Sequence, residues 1–155
     1  MRNFYQQRKQ QHQGYNPVRA AFAIKAQDDH ILNMRVLCAL SVEGDINIEH
    51  LASQAYVLAI GAEIAVHLDK HSSLARSIHG ALRSVLQMVQ DGGKWREPFA
   101  LPISNALQQA QQLCKAHPAL GLQFNPGAIE LSNAIRAGKA DLSAIAGAEI
   151  YQKQD

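Results

Sequence analysis

The chain has 155 residues, 47% of them hydrophobic and only 18% charged, with a formal net charge of +2. That length supplies one domain with a full core, so disulfide or metal staples are not required for folding. Cys38 and Cys114 belong to no C-x-x-C pair, which excludes a zinc ribbon and a thioredoxin-type redox motif. They read as small buried hydrophobes in a reducing cytosol.

Residues 1–16 show no apolar period and contain five Gln, the pattern of a flexible arm. Charge is uneven along the chain. Arg2, Arg8, Lys9, Arg19 and Lys25 give residues 1–27 a local +5 with no acid. Residues 36–75 set Lys70 against Glu43, Asp45, Glu49, Glu63 and Asp69, a local −4. A basic arm of this kind reaches an anionic partner or folds back on an acidic face of its own or a sister chain. Arg2, Arg8, Lys9 and Arg19 can neutralise phosphates while Phe4, Tyr5 and Tyr15 stack on bases. No early apolar stretch follows the basic start, so no secretory leader is expected.

The helical domain is expected over residues 17–152. Asn16 caps and Pro17 opens a first helix, with Val18, Ala21, Phe22 and the stem of Lys25 on a short apolar stripe. Asp28 or Asp29 caps a second, running to about Val42 and closed by Gly44. The alternation Met34, Val36, Cys38, Leu40, Val42 also fits a strand over residues 30–42, but no hairpin partner is evident and helix is the reading adopted.

The third helix is the longest, from about Asn47 to Lys70. Its many alanines and Gly61 let a neighbour approach closely. Glu49, Ser53, Tyr56, Glu63, His67 and Lys70 form one wet stripe on an otherwise buried helix. Glu63 and His67 interrupt its apolar run, so no membrane span is expected. Ser72 or Ser73 caps a fourth helix that ends at Gly92-Gly93, with Leu74, Ile78, Ala81, Val85 and Val89 facing inward.

GKWREPFALPIS reads as a loop, with two prolines and the only Trp. Ser104 then caps a fifth helix, with Ala106, Leu107, Ala110, Leu113 and Cys114 on its apolar face. Pro118 and ALGLQFNPG read as a second break, followed by short helices at about 128–137 and 141–152, split by Gly138. The expected fold is all-α, a single bundle of about six or seven helices with a basic N-terminal arm.

Three kinds of chemistry are open. Glu63, His67 and His71 lie at i, i+4 and i+8, which would stack three weak candidate metal ligands on one helical face of a small metal-dependent enzyme. No fourth ligand is identifiable and the His-Glu-x-x-His core is missing, so a solvated stripe near a helix C-terminus is the simpler reading. Nothing resembles a nucleophile elbow or a phosphate loop, and neither catalytic residues nor a cofactor is expected. A helix-turn-helix over residues 129–147 would start its second helix with Asp141-Leu142-Ser143-Ala144, which lacks side chains for base edges.

The remaining features point to binding. Arg76, Arg83 and Gln87, with His79 nearby, share a face, and Lys94 and Arg96 follow. Guanidinium groups there suit carboxylates or phosphates equally. Trp95 and Arg96 are residue types favoured at interface anchors. The expectation is a non-enzymatic cytoplasmic interaction or regulatory protein with a protein partner, through Arg2, Arg8, Lys9, Tyr15, Arg76, Arg83, Trp95 and Arg96. Direct nucleic-acid binding through the same basic elements is the alternative, and a homo-oligomer is compatible with either.

Overall fold

The computed structural model describes residues 28–38 and 44–139. Helix α1 covers residues 28–38, followed by a two-residue strand β1 (Gly44–Asp45) and helix α2 (Ile48–Asp69). Then come α3 (Ser73–Gln90), strand β2 (Lys94–Trp95), a 3-10 turn (Glu97–Phe99), α4 (Ala100–Ala116) and α5 (Pro118–Arg136). The protein is all-α apart from the two-residue bridge, with five α-helices among the described residues. The arm, the first expected helix and the last one lie outside them. Residues 28–38 are helical, as adopted over the strand alternative.

Helix α2 is the axis of the bundle, and α3, α4 and α5 pack around it. Asn47 starts it: its side chain accepts the Glu49 N–H at 2.9 Å and satisfies one of the orphan donors of the first turn. Twelve of its residues are buried, among them Ala52, Ala55, Ala59, Ala62 and Ala65. A Cβ placed on Gly61 would stand 2.4 Å from the Ala110 Cβ and 2.8 Å from its Cα, so α2 and α4 touch backbone to backbone there. Only a glycine fits that crossing. Contrary to the expectation from Glu63 and His67, α2 is long and apolar enough to cross a membrane by length and composition; 67% of that stretch is buried inside the bundle.

Helix α3 is amphipathic. Ser72 caps it, accepting the Ala75 N–H at 3.0 Å, and Ile78, Leu82, Val85 and Met88 enter the core. Leu74, expected inside, is only half-buried. The helix ends in two bonds, Gly93 N–H to the Met88 carbonyl and Gly92 N–H to the Val89 carbonyl, with Gly92 at φ +87°. That left-handed residue is why the Gly-Gly pair terminates the helix.

Two sequence expectations are corrected. GKWREPFALPIS is not an open loop: Trp95 joins the bridge to β1, and α4 begins at Ala100, ahead of Ser104. Pro98 and Pro102 both occupy first turns, where their missing N–H groups have no intrahelical role. The Ser104 hydroxyl accepts from Arg35 Nε at 3.2 Å instead of capping. The second expected break is absent too. Pro118 opens α5 at its first position, and the helix continues through Pro126 to Arg136. The carbonyl that Pro126 leaves unbonded lies in an exposed stretch where water can serve, and burial of Ala128, Leu131 and Ile135 holds the following turns.

Helix α1 buries Ile31, Met34 and Cys38 and runs antiparallel to α4. Asp28 meets Lys115 at 2.8 Å and accepts from Gln111, while Arg35 reaches Ser104. The Lys115 and Gln111 bonds hold the Asp28 carboxyl below the usual range.

Candidate functional site

Among the described residues, a cavity opens beside the wet stripe of α2. Helix α5 lies antiparallel along it. At one end Arg136 Nε donates to both Glu49 oxygens, at 3.1 and 2.8 Å. Further along, Tyr56 donates its hydroxyl proton to Asn125 Oδ1, and the His67 and Phe124 rings meet edge-on with centroids 6.2 Å apart. Burial, and secondly Cys114, push the Tyr56 phenol up. Among the described elements, α5 has the most extensive contact with α2. A groove of about 300 Å³ remains between them.

Three helices line it. Helix α2 contributes Ser53, Tyr56 and Val57; α5 contributes Ile129, Ser132, Asn133 and Arg136; α1 adds His30 at the rim. Arg136 is fixed from several sides, since Nη1 also donates to Ser132 Oγ at 3.2 Å and Asn133 Oδ1 at 3.1 Å. The Ser132 hydroxyl in turn donates to the Ile129 carbonyl at 3.0 Å. Sequence reasoning missed this groove. The polar stripe of α2 was visible, but its counterpart on α5 was divided between a supposed break and a short helix.

Of the residues expected to bind a partner, Arg2, Arg8, Lys9 and Tyr15 lie outside the described residues. Arg76 is exposed on α3 and donates from Nη2 to the His71 carbonyl at 3.1 Å. Arg83 is half-buried two turns further on, and Gln87 bonds Asp91 at 3.1 Å. His79 does not share that face: it is 1% exposed, inside the core. Trp95 is also in the core, 2% exposed, with its indole Nε1 lacking a hydrogen-bond partner among the described residues. An indole so placed touches no surface partner. Its neighbour Arg96 is exposed and lies over the Phe99 ring, 5.3 Å from the centroid, and Leu101 beyond is 70% exposed.

The metal candidates do not stack. Helix α2 ends at Asp69, so His71 sits in the following turn and off the i, i+4, i+8 line. His67 faces Phe124 and Glu63 is half-buried; among the described residues no three His, Cys, Asp or Glu side chains converge as a metal ion requires. The two thiols are poor nucleophiles. Burial pushes Cys38 up to about 11, against the opposing pull of Arg35, and burial raises Cys114 as well. The second helix of the helix-turn-helix reading lies outside the described residues; its turn glycine, Gly138, ends α5 at φ +79°. Comparison with protein-family models, curated proteins and solved structures finds no match for this chain.

Proposed function

We propose that this protein is a non-enzymatic, cytoplasmic interaction or regulatory protein that binds a macromolecular partner, most simply another protein. The observation that carries the reading is the corner formed by Arg96, Phe99 and Leu101. A guanidinium stacked on an aromatic ring is already ordered, so less entropy is lost when a partner covers it. The exposed Leu101 beside it supplies apolar area. This corner takes over the anchoring role that composition alone gave to Trp95. Arg76 and Arg83 on α3, with Arg2, Arg8, Lys9 and Tyr15 of the N-terminal segment, supply positive and stacking groups that favour an acidic partner surface.

Affinity capture from the native host, with and without nuclease, tests the reading. A partner retained after nuclease and lost with Arg96→Ala or Leu101→Ala is the expected result. Capture abolished by nuclease would replace it with direct nucleic-acid binding, for which steep salt dependence is the signature.

A further inference from the structure

The groove between α2 and α5 has an excess of hydrogen-bond donors. Arg136 spends Nε on Glu49 and Nη1 on Ser132 and Asn133, and its Nη2 has no partner among the described residues. Because Asn133 accepts from Arg136 through Oδ1, its NH2 group keeps two donors that have no partner among the described residues. The Ser53 hydroxyl and the His30 ring make no hydrogen bond among the described residues. Val57, Ile129 and the Tyr56 ring supply apolar lining to the same cavity. Several donors and an apolar lining in one cavity, with a guanidinium already held by its neighbours, describe a ligand site in physical terms.

We infer that this groove binds a small carboxylic acid: the carboxylate on Arg136 Nη2 and Asn133 Nδ2, and a short aromatic or branched body on Val57 and Ile129. Size limits the body. A cavity of about 150 Å³ takes a benzene ring, and this groove of about 300 Å³ leaves room for a ring plus a two- or three-atom linker and the acid group. A guanidinium has five donors, so Arg136 can serve Glu49 and the ligand at once. The acid is favoured over its amide because a carboxylate adds opposite full charge to a bond that the guanidinium already strengthens, an advantage that the Glu49 carboxylate on Nε reduces without removing. The site is independent of the macromolecular partner, and neither reading stands or falls with the other.

The test is an amide chemical-shift titration of the full chain with 3-phenylpropionate, 3-phenylpropionamide and acetate. The acid should give saturable shifts centred on Ser53, Val57, Ile129 and Asn133, with a Kd below about 10 mM, while amide and acetate bind at least about tenfold more weakly. Arg136→Gln should weaken the acid about tenfold, and Asn133→Ala, at an exposed position, by about threefold. Ser53→Leu, which fills the groove, should abolish binding. Should Arg136→Gln disturb α5, the other two variants decide. Equal affinity for acid and amide, shifts centred elsewhere, the absence of saturation, or binding that survives Ser53→Leu would each overturn the assignment.

Discussion

Helix α2 has two unlike sides. Toward α4 it presents Gly61 and alanines, and the backbones meet with no space between them. Toward α5 it presents Glu49, Ser53, Tyr56 and His67, and beside the apolar packing of Leu131 and Ile135 these polar side chains border a groove. One helix therefore supplies both the rigid interior and the open side of the protein. The difference lies in the side chains: small residues let the backbones touch, while polar ones reach across to partners on the neighbouring helix and leave a cavity beside them. Stability should reside on the dry side and adaptability on the wet one.

The largest expected effect lies in the dry core. Trp95→Ala should lower unfolding free energy by about 3–5 kcal/mol, the usual cost of emptying an aromatic core position. Trp95→Phe should cost much less, since it also removes a buried N–H that has no partner among the described residues. Urea melts of both variants check this; a loss below about 1 kcal/mol for Ala would mean that the indole is not part of the core.

Second comes alkaline pH. The Cys38 thiol, raised to about 11 when folded, ionises more readily in the unfolded chain. The folded state thus holds that proton more tightly. Its stabilising contribution is complete below the ordinary thiol range near pH 9 and disappears as pH rises through about 11. A shift of that size corresponds to about 2–3 kcal/mol. Wild type and Cys38→Ala compared in denaturant melts from pH 8 to pH 11 isolate it: the variant should lose less stability over that range, and equal slopes would refute the assignment.

Third is a pair of glycines on neighbouring helices. Gly61→Ala should destabilise by about 1–3 kcal/mol, because its Cβ would overlap Ala110. Gly80→Ala in α3 should stabilise by about 0.5–1 kcal/mol, since its Cβ meets nothing within 4 Å and alanine is the better helix former. Opposite signs in thermal melts are the prediction, and like signs would dissolve the contrast.

The smallest effect belongs to the wet side. Glu49→Gln should cost no more than about 1 kcal/mol and less at high salt, because the Glu49–Arg136 pair is 56% and 38% exposed. A larger, salt-independent loss would show that α5 is locked onto α2 rather than leaning on it.

Much of the dry side was legible in the sequence. Asn47, Ser72 and Gly92-Gly93 are local signals, and they bound α2 and α3 to within a residue or two. The apolar face of α4 was also legible from its period. What escaped was the part decided by tertiary contact. Pro118, Gly121, Pro126 and Gly127 all speak against a helix, yet packing of Phe124, Leu131 and Ile135 on α2 forms one. Trp95 has the composition of an anchor, but its burial depends on pairing with Gly44, far away in the chain. The groove needed residues from α1, α2 and α5 together, and no single segment announces it. The basic face of α3 was half legible, with Arg76 outside as expected and His79 within.

The bridge between β1 and β2 has a consequence for how the chain assembles. Gly44 pairs with Trp95 and Asp45 with Lys94, and the Ile46 N–H donates to the Gly93 carbonyl at 3.0 Å. The α2–α3 hairpin thus enters and leaves the bundle at the same point, and its two ends are tied together. Once α2 and α3 have docked across their short turn, closing this clasp costs little further loop entropy. The hairpin is then a cooperative unit that forms early and opens as a whole. The Ile46 amide, although it lies in a connection, should exchange its hydrogen as slowly as the core of α2, making it a reporter of the opening of the whole hairpin.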